Sequence, residues 1–233
     1  MYNYKKHFSK EALKRDKEYI ETYCNSKGCY ISDENELNRG DRGEYYIFKS
    51  LLRIKPPLHI LIDLYIPTYN NKTTQIDLVF IHSTGIYVIE SKNTGALLSG
   101  KQNDIYWNQS YKSGKSFKLY NPILQNDSHI EYLKLFLKDY PSDLFYSLLI
   151  INRHHSGIDN LNIDHSKLKY KTFITTKYAI TRKVENLLSE RLSELNSSSL
   201  LNKSQIDSIY NLLLPYTKVS SSVKINHIKN IHK

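Results

Sequence analysis

Two apolar runs separated by a short polar turn occupy residues 75–93, QIDLVFIHSTGIYVIESKN. Each run has the length and the β-branched character of a buried strand, and the turn at Ser83-Thr84 predicts that the runs pair as an antiparallel hairpin. In that register Asp77 faces Glu90 across the two strands. The pattern therefore places two carboxylates close together among apolar side chains.

Elsewhere in the chain, segments with helical apolar spacing alternate with short, continuous apolar runs. Helices are predicted at residues 8–22 with Ser9 as N-cap, from Gly40 and Gly43 to the prolines at 56–57, from the Asn121 N-cap and Pro122 to before Pro141, at 178–194 and at 203–214. Besides the hairpin, strands are predicted at 59–67, 104–109, 116–120, 144–152 and 169–175. This order predicts an α/β layer domain with a mixed sheet.

Composition adds a strong basic excess to this picture. The 233 residues include 33 Lys and Arg against 23 Asp and Glu, a net charge of +10. Such an excess favours polyanionic partners, with nucleic acid first and an anionic membrane surface second. The basic amphipathic helix that membrane binding would need is not apparent in the sequence.

Targeting and redox features point to a cytoplasmic protein. The N-terminal residues lack the apolar stretch of a secretory signal, and the longest apolar run, at 144–151, is too short to span a bilayer. Cys24 and Cys29 could contribute to a zinc site only with two further ligands, so we expect free thiols in a reducing compartment.

The two hairpin acids have a chemical use. Burying two facing carboxylates is costly, and a divalent cation between them removes the cost; Mg²⁺ accepts one or two carboxylates while it keeps several waters. Lys92 shares a strand face with Glu90 and could lie beside a metal-bound water, an arrangement suited to phosphodiester hydrolysis. The alternative is that Asp77 and Glu90 are edge acids paired with Lys92 or another base, in a register that slips by one residue.

Two helical residues extend this group. Glu44 shares a helix face with apolar residues and should point towards the sheet, although a carboxylate in a first helical turn is also favoured by the helix dipole alone. Gln125 shares a face with His129, Tyr132 and Phe136, which also suits a polar face that opens to solvent.

Five sequence blocks in a fixed order resemble the NERD (nuclease-related) domain, a branch of the PD-(D/E)xK restriction-endonuclease-like superfamily. They cover roughly residues 38–152 and are RGDRGE at 39–44, TQIDLVF at 74–80, GIYVIESKNTG at 85–95, Trp107, and NPILQNDSH at 121–129. The resemblance implies a restriction-endonuclease-like α/β core: a mixed four-stranded sheet flanked by helices. Around it we expect an N-terminal helical extension at 1–36, the nuclease core at 37–152, and a C-terminal strand and helical extension with a basic tail at 153–233.

The resemblance also implies Mg²⁺-dependent nuclease chemistry, in which Mn²⁺ could substitute. Carried over by position, Asp77 and Glu90 are metal ligands together with the carbonyl of Ser91, and Lys92 orients or activates the attacking water. Ser91 stands where many relatives carry a small apolar residue, but only its carbonyl would bind metal.

Two further positions follow from the same resemblance. Glu44 would be the helix-borne acid that completes the site, and Gln125 matches a polar position near it. Members of the family often occur with helicase or kinase partners, so a helicase-like partner protein stays open. Restriction-like enzymes often dimerise to cut both strands, so a homodimer stays open as well.

The segment 105–120 interleaves aromatic and basic residues. Trp107 with Lys112, Lys115 and Lys118 suits base stacking and phosphate contact, and the alternative is a solvated hairpin whose aromatic side chains pack on the core. We also interpret residues 219–233 as a mobile basic tail. RHH at 153–155 and DH at 164–165 could suggest a second metal site, but we interpret these histidines as surface residues in loops. The sequence thus predicts a metal-dependent nuclease acting on DNA, with a noncatalytic DNA-binding or scaffold module as the alternative.

Overall fold

Two β-sheets and six α-helices form the described part of the chain, which in this computed structural model comprises residues 10–27, 37–54, 58–69, 72–151, 158, 160–195 and 200–231. The helices are α1 (Lys10–Lys27), α2 (Arg39–Leu51), α3 (Pro122–Phe136), α4 (Ile180–Glu194), α5 (Lys203–Leu213) and α6 (Ser221–Ile231). The strands are β1 (Leu58–Pro67), β2 (Thr73–His82), β3 (Gly85–Lys92), β4 (Leu97–Lys101), β5 (Tyr106–Ser110), β6 (Ser116–Tyr120), β7 (Phe145–Ile151), β8 (Asn160–Asn162) and β9 (Thr172–Thr176).

The larger sheet is mixed, with strand order β1-β2-β3-β7-β9. Strands β1, β2 and β3 pair antiparallel, whereas β7 and β9 continue the sheet in parallel with β3. Val79 pairs with Val88 and Ile81 with Ile86, so the predicted hairpin register is confirmed. The α/β class is also confirmed, with five strands in this sheet because β9 extends the four that we expected.

Helices cover both faces of this sheet, because the strands alternate apolar side chains towards each face. On one face α1, α2 and α4 pack on residues such as Leu78, Phe80 and Tyr87. On the other face α3 and α5 pack on Val79, Val88 and their neighbours. Strand β7 lies inside the sheet and all seven of its residues are buried, as its continuous apolar run predicts.

The smaller sheet has strand order β6-β5-β4-β8. It contains the two predicted strands β5 and β6, and two short strands that the sequence pattern did not indicate. Trp107 of β5 anchors it: the indole is fully buried and donates from Nε1 to the Lys101 carbonyl at 2.9 Å. A Cβ on Gly100 would come within 2.3 Å of this indole, so only glycine fits at that position.

The C-terminal segment differs from our expectation. Residues 221–231 form the helix α6, so the interpretation of a mobile basic tail is wrong for them. The helix contacts β2, and it is held by polar groups: the His227 ring hydrogen-bonds to Thr73, and the Lys224 ammonium pairs with Asp63. A basic segment can therefore form a helix that packs on the sheet when an acid such as Asp63 pairs with one of its lysines.

Helix boundaries agree with the sequence in part. Asn121 caps α3 by accepting from the Ile123 N–H, with Pro122 in the first turn, as predicted. Helix α1 continues to Lys27, beyond its predicted end at residue 22. The predicted cap Ser9, the prolines at 56–57, Cys29 and the histidines at 154–155 lie outside the described residues.

Among the described helices, none combines the length and the apolar character that crossing a membrane requires.

Candidate active site

The end of the β2–β3 hairpin holds the first carboxylate of the site. The ladder between β2 and β3 ends at Leu78 and Ile89, one pair before Asp77 and Glu90. There the Asp77 side chain takes over a backbone donor, since its Oδ2 accepts the Ser91 N–H at 2.8 Å. Asp77 is thereby fixed to the partner strand beside the Ser91 peptide.

The second carboxylate, Glu90, is buried and paired with a base. Its Oε1 lies 2.5 Å from the Lys92 ammonium, and only 1% of the residue is exposed. The Lys92 ammonium also donates to Gln125 Oε1 at 2.9 Å, so α3 helps to hold it. The structure therefore brings Glu90, Lys92 and Gln125 into one contact group.

His129, one turn after Gln125 on α3, lies on the other oxygen of Glu90. Its Nε2 is 3.2 Å from Glu90 Oε2, and its Nδ1 is 2.7 Å from the Thr74 hydroxyl. Within the described residues, Glu90 Oε2 accepts no well-directed hydrogen bond. A buried carboxylate oxygen thus retains acceptor capacity facing the site.

The electrostatics of this pair are strongly coupled. Burial is the largest single influence and opposes the charged forms of both Glu90 and Lys92, but the attractions together outweigh it. Contacts with Lys92 and His129 lower the pKa of Glu90, and contacts with Glu90 and the charge of Asp77 raise the pKa of Lys92. Lys92 is therefore an ammonium ion at neutral pH. The ion pair that our alternative interpretation predicted is present, and it involves Glu90 rather than Asp77.

Asp77 responds in the opposite direction. Burial, followed by the negative charge of Glu90, raises the pKa of Asp77 to about 6. The Gln75 amide donates to Asp77 Oδ1 and to Asp63 Oδ1, both at 3.2 Å, so neutral donors hold this carboxylate. Burying both Asp77 and Glu90 on paired strands is costly unless a cation binds between them.

Glu44 of α2 points inward, as its helix face predicted. Its Oε2 lies 2.6 Å from the Lys27 ammonium and 3.4 Å from the Tyr23 hydroxyl. Burial, with a further contribution from the charge of Asp77, raises the pKa of Glu44 to about 8. The structure therefore places Glu44 within electrostatic reach of Asp77.

Asp63 is an acid of this site that our sequence analysis missed. The β1–β2 register pairs Ile62 with Leu78 and Leu64 with Ile76, which leaves Asp63 opposite Asp77 with a backbone φ of 57°. A non-glycine residue in this left-handed region is strained and is characteristic of functional sites. The available signal was a lone acid inside the apolar run 59–67, the same signal that drew attention to the hairpin.

The donor set suits a hard divalent cation. Carboxylates and a backbone carbonyl are the oxygen ligands that Mg²⁺ binds, and Mg²⁺ needs only one or two carboxylates because it retains waters. Within the described residues, Glu90 Oε2 accepts no directed hydrogen bond, and burial is the largest cause of the raised pKa of Asp77, so a cation bound here would favour the ionised form of Asp77. In the described part of the chain, no group of three or more His, Cys, Asp or Glu side chains is arranged to hold a metal ion. The two carboxylates and the Ser91 carbonyl therefore fit a Mg²⁺ ion that keeps several waters. They do not fit a metal ion whose ligands all come from protein side chains.

The predicted nucleic-acid residues lie on the smaller sheet, and one of them must be withdrawn. Trp107 is buried beneath Gly100, so its ring cannot stack on a base. Lys112, Lys115 and Lys118 are exposed on the β5–β6 hairpin, and the Lys118 ammonium lies over the Tyr106 ring.

Comparison with known proteins indicates a family for residues 39–152. The model of a family described as the nuclease-related domain, NERD, matches residues 39–152. An uncharacterized protein of Bacillus anthracis is 24% identical over 196 residues, which cover 83% of this chain and 84% of that protein. The matched segment contains α2, α3 and strands β1 to β7, and it ends just after β7.

Proposed function

The chain carries a nuclease-related (NERD) domain at residues 39–152, and from this premise we propose that it is a metal-dependent nuclease that hydrolyses DNA phosphodiester bonds. The observation that carries the proposal is the Glu90–Lys92 ion pair held beside the elevated-pKa carboxylate of Asp77. Asp77, Glu90 and the Ser91 carbonyl would hold Mg²⁺, for which Mn²⁺ could substitute. The bound ion would supply Lewis-acid stabilisation of the phosphoryl oxygens and a water of lowered pKa.

Lys92 acts in this proposal as a hydrogen-bond donor. In the metal-free protein the pKa of Lys92 is raised and the ammonium keeps its proton at neutral pH, so we assign Lys92 the role of a donor rather than that of the general base. Its contacts with Glu90 Oε1 and Gln125 Oε1 fix the position of Nζ. A third N–H then remains to orient a water or to stabilise a phosphate oxygen.

Gln125 and His129 are positioning residues. Gln125 holds the Lys92 ammonium, and His129 lies against the second oxygen of Glu90. Both lie in the N-terminal half of α3, which begins at the Asn121 cap, so the start of this helix determines where their side chains meet the β2–β3 hairpin.

DNA is the proposed substrate because of the charge distribution. The chain has a net charge of +10, and the β5–β6 hairpin presents Lys112, Lys115 and Lys118 to solvent. Tyr106 and its cross-strand partner Tyr120 are exposed on the face of that hairpin that also carries Lys118. They replace Trp107 as candidate stacking surfaces.

The test uses supercoiled plasmid and single-stranded circles, each with Mg²⁺, Mn²⁺ or EDTA. Glu90→Gln and Lys92→Met are compared with Glu190→Gln and Lys138→Met, which alter exposed positions. We expect metal-dependent cutting by the wild type and both controls, and at least a 100-fold loss in Glu90→Gln and Lys92→Met. Nicked plasmid would indicate a monomer, and linear plasmid at first appearance would indicate a homodimer that cuts both strands.

The outcomes separate the alternatives. If the wild type binds DNA without cutting it under any metal, the noncatalytic module is favoured, or cleavage needs a partner such as a helicase. Cutting that persists in both site variants would show that Glu90 and Lys92 do not belong to the active site.

A further inference from the structure

Two lysines from outside residues 39–152 reach the carboxylates of the candidate site. Lys27, the last residue of α1, places its ammonium 2.6 Å from Asp41 Oδ1 and 2.6 Å from Glu44 Oε2. Its side chain is 11% exposed, so this is an enclosed contact rather than a surface pair. A cation thus bridges two acids on the N-terminal turns of α2.

The second lysine comes from the other end of the chain. The Lys224 ammonium of α6 lies 2.7 Å from Asp63 Oδ2 and 3.4 Å from the Lys27 carbonyl. Helices α1 and α6 therefore meet at the site, where Asp63 and Asp77 share the Gln75 amide.

The charges of this cluster can be counted from the contacts already described. Its carboxylates are Asp41, Glu44, Asp63, Asp77 and Glu90, and its ammonium groups are Lys27, Lys92 and Lys224. With the histidines neutral and all five carboxylates ionised, the cluster has a net charge of −2, which one divalent cation balances. Because burial raises the pKa of Glu44 to about 8, the metal-free protein reaches this state only above that pH, and a bound cation favours it at lower pH. Buried carboxylates without such compensation are strongly unfavourable.

We propose that Lys27 and Lys224 are fixed cations of the active site, which take the place of a second metal ion and leave room for a single divalent cation at Asp77 and Glu90. This inference rests on the proposed function. It makes α1 and α6 parts of the site, although both lie outside the nuclease-related domain. Their role is positional, because they act on metal binding through Glu44 and Asp63.

The experiment measures how many Mn²⁺ ions bind, by calorimetry and by electron paramagnetic resonance of the free ion, at pH 8 and without DNA. Wild type is compared with Lys27→Met, Lys224→Met and the double variant. Lys14→Met on α1 and Lys229→Met on α6 are matched controls, since both change an exposed lysine of the same helix. We expect one Mn²⁺ for the wild type and controls, and two for the double variant.

Two further variants guard against misfolding. Lys27→Arg and Lys224→Arg keep the charge and should retain one Mn²⁺, with circular dichroism as the check on folding. Lys224 is the safer position for a single change, because its side chain is 29% exposed. Lys224→Met alone should tighten Mn²⁺ binding at least 10-fold.

The results distinguish this inference from the proposed function. One Mn²⁺ at unchanged affinity in Lys224→Met and in the double variant, or two in the wild type, would overturn the fixed-cation role while leaving the nuclease intact. A wild type that binds no Mn²⁺ would contradict both proposals.

Discussion

Asp77→Asn should change how the stability of the metal-free protein depends on pH. Burial and the charge of Glu90 raise the pKa of Asp77 from 3.8 to about 6. Because the folded pKa lies above the unfolded one, the folded state favours the protonated carboxyl. This stabilisation is complete below about pH 4 and is lost as the pH rises through about 6.

The magnitude follows from the size of the shift. A displacement of about 2 pKa units corresponds to about 3 kcal/mol in full, and integration between pH 5 and pH 8 gives a loss of about 1.4 kcal/mol. Asparagine cannot ionise, so the variant should lack this loss. Removing the charge of Asp77 should also lower the raised pKa of Glu44. This second effect also reduces the loss of stability between pH 5 and pH 8.

The assay is urea denaturation with EDTA at pH 5 and pH 8, for the wild type, Asp77→Asn and the exposed control Asp139→Asn. The stability difference between the two pH values should be at least about 1 kcal/mol smaller in Asp77→Asn than in the other two proteins. Mg²⁺ added at pH 8 should stabilise the wild type and the control but not Asp77→Asn. The same pH dependence in all three proteins would refute the view that Asp77 is a buried, uncompensated acid.

Three more outcomes follow from other contacts. Gly100→Ala should lower the free energy of unfolding by about 1–3 kcal/mol, because the added methyl group overlaps the Trp107 indole; a thermal melt with unchanged midpoint would contradict this. Asn126→Ala should cost about 1–3 kcal/mol in urea denaturation, because its buried amide donates to a strand carbonyl and to a serine hydroxyl that would both lose a partner. Lys118→Ala should weaken DNA binding and reduce the slope of log K against log salt by about 1, measured by fluorescence anisotropy, whereas Lys138→Ala should change neither.

The central hairpin was predictable because its signals are local. Two continuous apolar runs and a two-residue turn set the register that pairs Val79 with Val88, and the strand period places Glu90 and Lys92 on one face. The helix period likewise places Gln125 and His129 together on α3. In each case the interacting residues lie within a few positions of one another, or within one pair of strands.

The cations of the site were not predictable in this way. Lys27 lies just beyond the predicted end of a charged helix and Lys224 lies in a basic segment, so in the sequence each one resembles an ordinary solvated lysine. Their partners, Glu44 and Asp63, are 17 and 161 residues away along the chain, and only the packing of α1 and α6 joins them. Such pairings depend on how helices pack in the folded protein, which the spacing of hydrophobic residues along the chain does not predict.

Trp107 shows a local signal that was available and overlooked. Successive residues of a strand face opposite sides, so Tyr106 and Trp107 cannot both be presented to the same ligand. The structure exposes Tyr106 and buries Trp107 in the core of the smaller sheet. Interleaved lysines and aromatic residues indicated a binding surface, and the strand period decides which aromatic residues can belong to it.

The way α6 is attached has a consequence for the dynamics of the site. None of its side chains from Ser221 to Asn230 is fully buried, and Ile225 and Ile228 are more than half exposed. Segments with so little buried apolar surface open with free energies far below that of global unfolding, and their amides exchange hydrogen early. The Lys224–Asp63 pair is also partly accessible to ions that screen it. Raising the ionic strength should therefore release α6 more often, and each release would leave Asp63 without its ammonium partner, so that the charge of the site would change with the opening of a single helix.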